Sequence, residues 1–277
     1  DEGEVAPAAT PRRGSLLYMK RLAMFLGACV CLCACGATRV ELNEGWSFTR
    51  DEPIWMQRAF SVSAMLEMLD GQRRDLLERP GPVCVRKVPA LKPNAVAKGW
   101  EPVRVPHDAG ILHAFSYDLP PYDGYLRGTG AAWYRYVFRV EGGTVKLARG
   151  ELAHAADGRL FFDCDGTMAF PMAWLNGTFV GGWPNGYMPW RVDLTAALKE
   201  GENVLLVRTY RPTDYARWHT GVGLTRRCWL EAFPADHVVP DSVAITTPAV
   251  TRERATVRVA TNTTRFRTLC CLRQVLY

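Results

Sequence analysis

The 277-residue chain lacks the patterns that announce several common chemistries. Its cysteines include no Cys-x-x-Cys pair and no Cys/His cluster at zinc spacing, and its five histidines, at 107, 113, 154, 219 and 237, are scattered. No structural metal and no cofactor are therefore expected. A net charge of +6 is spread along the sequence without a dense Lys/Arg block interleaved with aromatics, so a nucleic-acid footprint is absent. Gly221-x-Gly223 lacks the third glycine and the strand-turn-helix setting of a dinucleotide site. Asp163-x-Asp165 followed directly by glycine lacks the further ligands of an EF-hand. The apolar run Leu22–Cys35 falls short of the roughly 18 residues of a membrane-spanning helix.

That run has the build of an export signal instead, with Lys20-Arg21 before it and small residues at its end. Met19 is a natural initiator, and residues 1–18 are set aside from fold reasoning. Leu32-Cys33-Ala34-Cys35-Gly36 resembles the bacterial lipoprotein processing box, which implies lipidation of Cys35 and a periplasmic or outer-membrane lipoprotein. Cys33 departs from the usual box, Leu26-Gly27-Ala28-Cys29 is a rival one, and simple signal cleavage is the plain alternative. Four of the nine cysteines fall in this segment; the other five, Cys84, Cys164, Cys228, Cys270 and Cys271, define no disulfide framework by spacing.

What the chain does have is strand pattern. A hydrophobic content of 48% with 22% charged residues is that of ordinary globular protein. Residues 39–48 read as a strand, a turn and a second strand entry. Residues 54–79 carry apolar positions near helical spacing, interrupted at Gly71, and predict an amphipathic helix or helical pair. Pro80, Pro82, Pro89 and Pro93 return the chain to an extended path, and residues 112–131 form a long loop. Six short segments follow, at 133–140, 158–166, 172–182, 190–194, 203–210 and 226–233, at the turn-punctuated spacing of an all-β sandwich. Asn176-Gly177 predicts a type I′ hairpin turn, since both central residues need positive φ. A second turn is expected at Asn185-Gly186. Beyond Pro240, two or three strands are visible, too few to close a sandwich, so the chain reads as truncated.

Several tempting groups have plainer readings. Asp163 and Asp165 sit roughly 7 Å apart along one strand face, and a strand end before Gly166 suits them better than a catalytic pair. His107 and Asp108 point to opposite faces of an extended segment, so Asp108 is expected to hold loop backbone donors rather than orient a base. Trp133, Trp174 and Trp229 lie in strands and are expected in the core. Asp214–His219 gathers an acid, a cation and aromatics in one loop, a composition suited to sugar faces and hydroxyls.

Taken in order, Val105-Pro106-His107-Asp108, Gly130 to Arg135, Phe162 to Gly166, Ala173 to Gly177, Val180-Gly181, Gly186 to Trp190, Asp193-Leu194-Thr195, Gly201-Glu202-Asn203 and Arg217-Trp218 with Gly221 to Arg226 resemble the amino-terminal sugar-binding domain of family 2 glycoside hydrolases, the β-galactosidase and β-glucuronidase family. The resemblance implies a galactose-binding-like jelly-roll β-sandwich over 36–235, after a leader at 1–35, and an incomplete immunoglobulin-like β-sandwich over 236–277. It implies that Arg217, Trp218 and His219 help shape the pocket for a β-galactoside or related glycoside. It also implies that both catalytic glutamates belong to a barrel domain, the natural partner, that lies outside this chain, so no catalytic residue is assigned. Ala109 and Thr225 depart from the family's usual Trp and Tyr, and 54–79 and 142–157 look like insertions. The competing expectations are a stand-alone carbohydrate-binding module and a nonfunctional product of a truncated gene.

Overall fold

The computed structural model describes residues 37–60, 91, 99–112, 115–119, 121, 124, 126, 128, 130–212 and 220–264. They fall within one compact unit, Cys35–Arg265. The expected export signal with Cys35, the expected helix beyond residue 60, and Arg217, Trp218 and His219 lie outside the described residues.

The architecture is all-β. Strands β1 (Thr38–Glu41), β12 (Cys228–Phe233), β7 (Arg159–Cys164) and β10 (Trp190–Asp193) form one sheet in that order. The facing sheet runs β3 (Glu101–Val103), β2 (Trp46–Thr49), β4 (Gly130–Glu141), β11 (Gly201–Arg211), β8 (Met172–Leu175) and β9 (Thr178–Gly182). A small extension of β5 (Thr144–Lys146) and β6 (Glu151–Ala153) hangs from β4 within the expected insertion. The pairings within both sheets are antiparallel.

Side-chain alternation explains why the sheets face one another. In β4, Ala132, Tyr134, Tyr136, Phe138 and Val140 point into a core shared with Leu160, Phe162, Trp190, Val192 and Leu230 of the opposite sheet. Trp46 fills its centre, touching Tyr136 and Phe162 at ring-centroid separations of 5.0 and 6.1 Å. Val137, Arg139 and Glu141, on the other face of the far half of β4, are more exposed.

The near half of β4 is buried on both faces. Trp133 faces away from the sandwich core and joins Trp174, Leu206, Met172, Leu91 and Phe170 in a second cluster. The helix α1 (Ile54–Ala59) and the residue after it cover this cluster through Met56 and Phe60. Six residues are too few for a helix to stand alone, so packing holds it: Phe60 meets Trp174 edge-on at 5.5 Å. Burying a large aromatic ring removes about 150–250 Å² from water, worth on the order of 4–6 kcal/mol before entropy. The expected helix is thus present at its start and serves as a lid on the outer face of the larger sheet.

The β8–β9 turn has Asn176 at φ 52° and Gly177 at φ 87°, the conformation the Asn-Gly pair predicts. A side chain at Gly177 would overlap the Leu91 carbonyl, to which the turn is joined by a Leu91 N–H to Gly177 O bond of 2.9 Å. At the second expected turn, Asn185 Oδ1 accepts from the Tyr187 and Met188 amides at 2.8 and 3.2 Å, an Asx turn that leads into β10. Beyond these sheets, β13 (Ala244–Val250) and β14 (Ala255–Ala260) form a two-stranded antiparallel pair that leaves Ile245, Val250 and Val257 exposed.

Candidate functional site

Residues 213–219, which include the three expected sugar-contact residues, lie outside the described residues, but the positions on either side of them are joined. Arg211 Nε donates to Thr220 Oγ1 at 3.1 Å, while Nη1 donates to the Gly128 carbonyl at 2.8 Å. The Arg211 side chain is fully buried. A guanidinium tolerates that position because its fork of donors finds acceptors on both sides.

The segment 221–225, which carries an isolated β-bridge at Gly223, lies between two other segments. His107 N–H donates to Leu224 O at 2.7 Å and Ala109 N–H to Val222 O at 2.8 Å. On its other edge, Met168 and Gly223 exchange backbone bonds of 2.9 and 2.7 Å. Asp108 Oδ1 accepts from the amides of Gly110 and Val222 at 2.8 and 3.0 Å. The Asp of the His-Asp pair therefore holds backbone donors, as its side-chain chemistry predicted.

His107 points the other way and shares a 2.8 Å hydrogen bond with the Tyr134 hydroxyl. Burial lowers the histidine's proton affinity below the ordinary range, with Asp108 and Glu101 opposing it, so the ring is neutral at pH 7. Burial likewise pushes the Tyr134 phenol far above its usual range. Gly223 adopts φ 112°, and any Cβ there would overlap the Tyr134 hydroxyl. This glycine is required by close approach as well as by its backbone conformation.

The remaining motif residues build scaffold. Asn176 Nδ2 donates to Asn203 Oδ1 at 2.8 Å and to Ala197 O at 2.9 Å, while its Oδ1 accepts from Val204 N–H at 3.0 Å. Asp193 accepts from Thr195 N–H at 2.9 Å and from Arg159 at 2.6 Å. Trp190 Nε1 donates to Thr167 at 2.8 Å. Trp133 and Trp174 are fully buried, but Trp229 is not a core residue. It is half-buried, with the Arg39 guanidinium 4.0 Å from its ring centroid, because it occupies the outward face of β12.

The acidic groups that could suggest catalysis are committed elsewhere. Asp163 Oδ2 and Glu231 Oε2 both receive Arg191 Nη2, at 2.6 and 2.8 Å, and Arg39 reaches Glu231 at 2.8 Å. Burial raises the Asp163 carboxyl above the ordinary value, and Arg191 and Arg39 only partly offset it. Asp165 lies 3.8 Å from Arg39. Glu52 is buried against Arg208, which donates to it at 2.6 and 3.1 Å, and accepts from Trp133 Nε1 at 3.0 Å. What the arrangement offers is a bonded frame on either side of residues 213–219. Sequence reasoning did not pick out its members Arg211 and Thr220; a basic residue ending one strand and a hydroxyl nine positions on was the local signal.

No protein-family profile matches the chain. Over 177 residues, 62% of this chain, it is 32% identical to β-galactosidase BoGH2A of Bacteroides ovatus, and it spans 19% of that protein's length. It is similar in structure to a β-glycosidase from Bacteroides vulgatus, with a TM-score of 0.57 and 18% identity over 83% of this chain and 25% of that one. It is also similar to a family 2 glycosyl hydrolase from Bacteroides cellulosilyticus, with a TM-score of 0.51 and 22% identity over 80% of this chain and 24% of that one. By fold, the chain is a β-sandwich of the kind carried by bacterial glycosidases. Its homologues and structural neighbours are β-galactosidases and β-glucuronidases of glycoside hydrolase family 2, and its all-β architecture fits their sugar-binding domain.

Proposed function

We propose that this chain is the amino-terminal, non-catalytic part of a β-galactosidase-like family 2 glycoside hydrolase acting on terminal β-linked sugars. The observation that carries the reading is the bonding of the segments that flank residues 213–219: Arg211 to Thr220, and residues 222–224 to Asp108, His107, Ala109 and Met168. Flanks held by so many polar and backbone bonds suit a scaffold that presents the side chains between them to a substrate. Arg217, Trp218 and His219 are the residues it would present, by stacking and by hydrogen bonds to hydroxyls. The two carboxylates of the retaining reaction would come from a barrel domain outside this chain.

In this reading the chain is also exported and acylated on Cys35. The purified chain is expected to leave a chromogenic β-galactoside intact. Joined to the barrel of its parent enzyme it hydrolyses the substrate, with KM raised by Arg217→Ala or Trp218→Ala. Turnover by the isolated chain would overturn the reading, as would loop variants of the joined enzyme with unchanged kinetics. Labelled palmitate should enter the expressed protein and be lost in Cys35→Ser.

A further inference from the structure

Cys164 closes β7 and Cys228 opens β12, and the two stand directly opposite each other across the antiparallel pair. Both thiols are free and fully buried, and Cys228 Sγ donates to Cys164 Sγ at 3.3 Å. Directly opposed residues on antiparallel strands have Cα atoms about 4.5–5.5 Å apart, inside the roughly 4.4–6.8 Å that a disulfide spans. Bonding would draw the sulfurs about 1.3 Å closer, within reach of side-chain rotation and a small strand adjustment.

We propose that Cys164 and Cys228 form an intrachain disulfide when the chain folds under oxidising conditions, stapling β7 to β12. The oxidant is a disulfide, either a small one such as oxidised glutathione or that of an oxidoreductase. One of the two cysteines attacks, as the thiolate, a sulfur of the oxidant and expels a thiolate, giving a mixed disulfide. The other, having lost its proton, then attacks the sulfur of the first and expels the second thiolate. Both cysteine protons end on the released thiols, and the oxidant's S–S bond is reduced as the new one forms.

Because neither sulfur is accessible in the folded sheet, the bond forms as β7 and β12 come together, and the core then shields it from reductant. The two residues are 64 apart in sequence, so the link restricts the unfolded chain substantially.

The test refolds the full chain from denaturant with a glutathione redox couple or with dithiothreitol, followed by alkylation under denaturing conditions and unreduced peptide mapping. The expected result is a cross-linked peptide joining Cys164 to Cys228 only in the glutathione sample. Its unfolding midpoint should be higher than that of the reduced sample by on the order of 10 °C. In the Cys164→Ala/Cys228→Ala variant this redox-dependent difference should vanish; if that variant does not fold, the peptide map of the unaltered chain decides alone. Both cysteines remaining fully alkylated after oxidative refolding, or linked only to other cysteines of the chain, would overturn the proposal.

Discussion

Arg211 and Thr220, on either side of residues 213–219, are joined side chain to side chain, with Arg211 Nε donating to Thr220 Oγ1 at 3.1 Å. Replacing the hydroxyl by a methyl in Thr220→Val keeps the shape and removes the bond, at a cost of about 1 kcal/mol. The loosening is expected to be local. Amide exchange measured by mass spectrometry should quicken roughly fivefold over Gly221–Leu224 while the strands of the sandwich keep their protection.

Gly223 tests the closeness of the 221–225 segment to Tyr134. Gly223→Ala places a Cβ against the phenol at a positive φ, and should lower stability by about 2–4 kcal/mol in urea unfolding. In a Tyr134→Phe background the same change is expected to cost less, since the clashing oxygen is gone. The double-mutant cycle reads that difference directly.

The buried pair of Glu52 and Arg208 has side chains only 3% and 0% exposed. Glu52→Gln leaves the guanidinium without its counter-charge and should destabilise the protein by about 3–5 kcal/mol. Replacing both members, as Glu52→Met/Arg208→Met, is expected to cost less than the two single changes combined. Denaturant midpoints of the four proteins check this. The result also bears on α1, since Phe60 packs over Arg208 at 5.1 Å.

Acid should weaken the sandwich through two histidines. Burial lowers His107 and His154 below 6.5, so the unfolded chain binds these protons more tightly than the folded one. Stability from this source is fully present above pH 6.5 and is lost as pH falls from there toward the folded values. Thermal midpoints should decline below pH 6.5, and the decline should be shallower in His107→Gln and in His154→Gln.

Much of this fold was legible because strands and turns are written locally. The alternation along Tyr134, Tyr136, Phe138 and Val140 announces a sheet face, and Asn176-Gly177 announces its turn by the φ values those residues accept. Asp108 was legible too, since a carboxylate beside an extended loop has backbone amides as its nearest donors. Trp229 was misread, because strand membership tells which residues share a face but not which face is covered. The double burial of Trp133 had the same obstacle: α1, Leu91 and Phe170, arriving from other parts of the chain, make the outer face of β4 a second core.

Sequence alone determined the main strand segments of the sandwich, the hairpin turn and the resemblance to family 2 glycosidases, since each rests on residue types at short spacings. Tertiary structure decided what those marker residues do. Asn176, Asn203, Asp193 and Gly223 are held in the scaffold by partners 20 or more residues away, or by a phenol from another strand. It also decided that Cys164 meets Cys228 and that Arg211 meets Thr220. Such pairings depend on strand register, and register is fixed only when two apolar faces are buried against each other.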